Sequence, residues 1–106
     1  MTETTAPWLG WHFLAESRCL QHDRAGTLVE AGKTYSFQGT PHLCQAGLHA
    51  SKRALDALEL APGPIVCCVR LSGTIVEDRT NACATQRTVL WVADATVVLH
   101  EFACAL

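Results

Sequence analysis

"HLCQAGLHASKRALDALELAPG", residues 42–63, sets two histidines and a cysteine ahead of an amphipathic run that Ala61-Pro62-Gly63 closes. Two kinds of chemistry fit those letters: a ligand or nucleophile cluster, or a strand and turn that feed a helix into a core. Ala54, Leu55, Ala57, Leu58 and Ala61 recur at the spacing that lines one face of a helix, with Lys52, Arg53, Asp56 and Glu59 on the opposite side. Ser51 stands where an N-cap belongs, and Gly47 supplies a backbone angle that a residue with a Cβ would resist. "HLC" is expected to pair briefly before "QAG" turns the chain. The segment therefore reads as architecture.

Working outward, residues 64–71, "PIVCCVRL", are β-branched and almost wholly apolar, the pattern of a central strand covered on both faces. Ser72-Gly73 is expected to turn it into a hairpin with "TIVED", followed by an irregular loop over residues 78–86 and a strand over 87–93, "RTVLWVA". Asp94 reads as the N-cap of a closing helix with Val98, Leu99, Phe102 and Ala103 on its apolar face. Toward the N-terminus, "WLGWHFLA" (8–15) alternates as a strand, with a short helix as the alternative. "TLVEAGKTYSF" (27–37) reads as a hairpin around Ala31-Gly32-Lys33, with Val29, Tyr35 and Phe37 inward. The expected fold is α+β: a small antiparallel or mixed sheet with two helices packed against it, one domain over residues 1–106 with 1–7 flexible.

Composition narrows the function. With 49% hydrophobic and 17% charged residues the 106-residue chain has the make-up of a folded domain. Its formal charge of −2, with eight scattered lysines and arginines, argues against direct nucleic-acid binding. The polar opening "MTETTAP" lacks an export signal and no apolar run approaches the ~20 residues of a membrane span, so a cytoplasmic protein without membrane contact is expected. The six cysteines then read as free thiols, Cys67, Cys68 and Cys104 inside apolar runs.

Cys19, His22, Cys44 and His49, with His42 nearby, could supply four zinc ligands on paper, but "C-x-x-H" and "H-x-C-x-x-x-x-H" are not the paired compact halves of structural zinc sites. Cys44 and His49 could also form an activated thiol pair, without a recognisable orienting group or oxyanion hole. Neither metal nor cofactor is expected. Glu77, Asp78 and Glu101 read as solvated charge.

Residues 40–103 resemble an uncharacterised family of phage, prophage and actinobacterial proteins, in the "C-x-x-GLHAS" and "APGPIVC-x-V-x-L-x-G" stretches that hold Cys44, Gly47, His49, Ser51, Asp56, Pro62, Gly63 and Gly73. The resemblance implies a small accessory protein of a phage or mobile element, in the cytoplasm of its host cell, that acts by binding a host protein or complex, such as an inhibitor of a defence system of the CRISPR kind. Binding rather than catalysis is thus expected, through Lys52, Arg53, Asp56, Glu59, Arg79 and Asn81 on the helix's polar side and the 78–86 loop. "GLHAS…RALDALELAPGPIVCCVRL" is also similar in rhythm to minimal ADP-ribosyltransferase folds, which implies the alternative of an enzyme centred on Cys44 and His49. A homodimer, or a fragment of a longer protein, is a further expectation from the abrupt "FACAL" end.

Overall fold

The computed structural model describes residues 7–20, 26–43 and 46–105, with side chains to Glu101. Its elements are β1 (Trp8–Leu14), β2 (Thr34–Ser36), β3 (Leu48–Ser51), α1 (Ala54–Glu59), β4 (Ile65–Glu77), β5 (Asn81–Asp94) and α2 (Thr96–Ala105). They form a single α+β domain, mostly antiparallel sheet, with two short helices.

The long β4–β5 hairpin is the spine, and the remaining strands attach to its two edges. β1 runs antiparallel to β4 from Trp8↔Leu71 to Leu14↔Ile65. Along the other edge of β5 lie β3, from Leu48↔Ala84 to Ser51↔Asn81, and then β2, from Thr34↔Thr88 to Ser36↔Gln86. β1 and β3 meet at Trp11↔Ser51, so β5, β4, β1 and β3 close into a ring. Glycine permits that closure: a Cβ on Gly10 would stand 2.5 Å from the Ser51 carbonyl oxygen and 2.4 Å from the Trp8 ring. Inside the ring, Leu14, Ile65, Val69, Leu71 and Val89 are buried, and Ala50, Ala82 and Ala84 keep β3 and β5 close by being small.

The described part of the 42–63 segment is a bend, a strand and a helix, with a shifted helix boundary. Gly47 has φ 111°, and the backbones of His42 and Ala46 exchange hydrogen bonds of 2.8 and 2.9 Å just ahead of it. Ser51 is not the helix cap; it ends β3, and its hydroxyl donates to Asn81 Oδ1. α1 starts only at Ala54, behind Arg53, which makes no side-chain capping bond. The helix is so short that Ala57 alone is buried, while Leu55, expected on the inner face, is 58% exposed and Ala54 is exposed as well.

Four other expectations are corrected. Ser72-Gly73 does not reverse the chain: β4 runs through it with a register shift between Ser72 and Ile75, and Gly73 takes φ 78°. The reversal comes at 78–80, where Asp78 Oδ1 accepts from the amides of Thr80 (2.9 Å) and Asn81 (2.7 Å). Most of the expected 78–86 loop is therefore strand. Ala82, Cys83 and Ala84 are fully buried between β3 and β4, a context that overrides their weak strand propensity. Residues 27–37 are not a hairpin; β2 pairs with β5, and Leu28 bridges Cys19. Nor is β4 covered on both faces: Ile65, Cys67, Val69 and Leu71 are buried, but Arg70 is exposed and Val66 and Cys68 are half-buried.

Asp94 does help start α2, its Oδ1 accepting from the Thr96 amide at 2.9 Å, though Val97 and Val98 stay largely exposed. The side chains of Phe102, Ala103 and Cys104 lie outside the described residues, as do residues 1–6. No described helix is long and apolar enough to cross a membrane.

Candidate functional site

The ring opens into a groove of about 840 Å³. Its polar wall follows from strand register, because residues paired across antiparallel strands share a face. His12 pairs with Cys67, and Arg87 with Leu71 and with Tyr35. Cys67 and Leu71 are core residues, so His12 and Arg87 are aimed inward. His49 comes from β3, next to the Gly47 bend. Trp11, Tyr35 and Phe37 give the groove an aromatic lining.

Arg87 is the unusual group. Only 3% exposed, it donates from Nη1 to the His49 carbonyl oxygen at 2.8 Å, while its Nε is buried with no acceptor among the described residues. No aspartate or glutamate is among the groove's described lining. Burial pulls the guanidinium pKa down to about 10, opposed by Cys67 and Tyr35, so the group stays cationic at neutral pH. Burial in turn pushes the Cys67 thiol up to about 11, which leaves it a core thiol rather than a nucleophile.

Both groove histidines are neutral at pH 7. His12 is held well below its usual value of 6.5 by burial first, then by the charges of Arg87 and His49. His49 is lowered chiefly by burial, with Arg87 adding to the shift, against hydrogen bonds to the Gly47 carbonyl (3.2 Å) and to His42 backbone that raise it. The result is one fixed positive charge flanked by two uncharged imidazoles in an aromatic groove.

A second, shallower hollow of about 440 Å³ lies outside the ring, where Lys52, Arg53, Asp56, Arg79 and Thr80 meet. It unites four of the six residues that the sequence nominates for partner contact. Arg53 spans Asp56 with two bonds, Nε to Oδ2 at 3.0 Å and Nη2 to Oδ1 at 3.1 Å, and Lys52 reaches Glu77 at 3.3 Å. The pairing raises the Arg53 pKa and lowers that of Asp56. Of the other two, Glu59 is exposed on α1, and Asn81 lines the groove instead, bonded to Ser51.

The sequence's metal and thiol candidates are only partly placed. His22 and Cys44 lie outside the described residues. Cys19 sits at the Leu28 bridge, its thiol 3.4 Å from the Gly26 carbonyl oxygen, and His49 is in the groove. Among the described residues no three His, Cys, Asp or Glu side chains gather as metal ligands. His12 and Arg87 were not nominated by sequence. The one available signal is that Arg87 has the parity of the buried Val89, which turns an arginine inward. No family model matches the chain, and no curated protein or solved structure is significantly similar to it.

Proposed function

We propose that this domain binds a small ligand in the ring groove through an anionic group that neutralises Arg87. The observation that carries the reading is the buried guanidinium whose Nε has no partner, with no carboxylate among the described residues of the surrounding wall. Burying a charge without a counter-charge costs several kcal/mol, and a ligand oxyanion would recover part of that cost. The groove's volume falls within the ~300–1,000 Å³ of small-molecule sites. The test is thermal denaturation of the full chain against a panel of small carboxylates and phosphates. The expected result is a ligand-dependent rise in Tm that Arg87→Met abolishes; a panel without any Arg87-dependent rise overturns the reading.

The outer hollow favours a second reading, in which the chain is a phage-type accessory protein that holds a host protein on the Lys52, Arg53, Asp56 and Arg79 surface. Under it, Lys52→Glu with Arg53→Glu weakens partner capture from host extract at least tenfold. Unchanged capture removes this face from consideration.

A further inference from the structure

The ligand of the Arg87 groove can be narrowed by charge and by geometry, in an argument that rests on the anion-binding reading above. A guanidinium has two edges that can each span an oxyanion with parallel hydrogen bonds. His49 carbonyl oxygen takes the Nη1 end, so the side-on edge formed by Nε and Nη2 is the one where the unpartnered Nε lies. A carboxylate or a phosphoryl group fits that edge with two oxygens.

The described wall supplies no charge for a second negative group. Arg87 is the only lysine or arginine in the described lining, and no run of glycines exposes consecutive amides there; Gly47 stands alone. His12 and His49 add no charge at pH 7, because burial and Arg87 keep them neutral. A polyphosphate would bring several negative charges into a site that offers one positive charge. Along the rest of the described lining the rings of Phe13, Tyr35, Phe37 and Trp11, the last also edge-on to Trp91 at 5.7 Å, are interspersed with polar Ser36, Ser51 and Asn81. Such rings take a planar apolar body better than a sugar or a small hydrated ion.

We infer that the groove is specific for a small molecule with a single oxyanion on a planar apolar body, an aromatic carboxylate or an aromatic monophosphate ester, with Arg87 binding the oxyanion side-on and the aromatic wall holding the body. Affinities measured by calorimetry on the full chain at pH 7.5 test this, with 2-naphthoate and phenyl phosphate against acetate, inorganic phosphate and adenosine triphosphate. Expected is binding of 2-naphthoate or phenyl phosphate at least tenfold tighter than acetate, inorganic phosphate or the triphosphate, and the preference between the two aromatic probes tells carboxylate from phosphate. Arg87→Met should abolish it. Arg87→Lys, which keeps the charge but lacks the fork, should weaken it at least tenfold and serves where the methionine variant does not fold. Acetate or inorganic phosphate binding as well as the aromatic probes, or the triphosphate binding best, overturns this ligand class while leaving the anion site standing, provided that Arg87→Met still removes the binding. Absence of Arg87-dependent binding by every probe overturns both.

Discussion

Arg53 stands at the surface with two nitrogens on the two oxygens of Asp56, and Lys52 beside it reaches Glu77. Arg87, buried in the ring, has a backbone carbonyl for one nitrogen and no carboxylate in the described wall around it. The outer pair is already complete, and water screens what remains of its charge. The inner arginine has left water without gaining a counter-ion among the described residues, a state that a protein keeps at a cost. The same residue type thus marks a solvated face in one place and an unfilled site in the other, and burial against partner supply is what separates them.

The largest effect comes from opening the ring. Gly10→Ala drives a methyl group into the Ser51 carbonyl and the Trp8 ring, so β1 must leave β3. A loss of about 3 kcal/mol in urea denaturation is expected from overpacking of this kind. The loosened groove lets water reach Arg87 and erases the contrast with Arg53. An unchanged midpoint would show that the ring closes without the β1–β3 contact.

Next is the cost of the charge itself. Arg87→Met keeps most of the volume and removes the desolvated cation, so the ligand-free domain should gain about 2 kcal/mol in the same measurement. Loss of stability instead would mean that the His49 carbonyl and the groove's dipoles already satisfy the guanidinium, and that nothing is left for a ligand to do.

The groove should also titrate where the outer hollow does not. His12 has a folded pKa well below the 6.5 of the unfolded chain, so below pH 6.5 the unfolded state binds a proton that the folded state refuses. Stability is full above about pH 6.5 and falls as the pH drops toward the folded value, with a slope of up to about 1.4 kcal/mol per pH unit from this one group. His49, also lowered, adds to the slope in the same window. Asp56, lowered from 3.8 by Arg53, acts only in more acidic solution. Denaturation midpoints between pH 5 and 7 for the wild type and His12→Gln check this, the variant giving the flatter profile; parallel profiles would place the sensitivity elsewhere.

What the sequence disclosed divides along the same line. Alternation and apolar runs located β1, β4 and the C-terminal half of β5, because inward side chains in those strands are mostly aliphatic. They misjudged Asn81–Gln86, where Ala82, Cys83 and Ala84 are buried for being small rather than for being strand formers. They placed β2 but gave it the wrong partner, since nothing local to Thr34–Ser36 reveals that it pairs with a strand fifty residues away. The polar hollow was legible, as Lys52, Arg53 and Asp56 are neighbours in sequence and Arg79 lies in the polar 78–80 stretch that reverses the chain after β4. The groove was not, because His12, His49 and Arg87 come from three strands and meet only when the ring closes.

The smallest effect is the one expected at Arg53 and Asp56, and it still bears on the comparison. The Arg53 side chain is 73% exposed although that of Asp56 is only 14% exposed, so breaking the pair with Asp56→Asn returns Arg53 to solvent rather than stranding it. The denaturation midpoint should stay within measurement error at low salt and at 0.5 M salt alike. A clear drop at low salt that salt abolishes would show that the carboxylate holds together Lys52, Arg53 and Arg79, three cations around one hollow. The outer surface would then be a charge cluster as constrained as the inner one, and the distinction between a finished ion pair and an unfinished one would no longer pick out Arg87 as the ligand site.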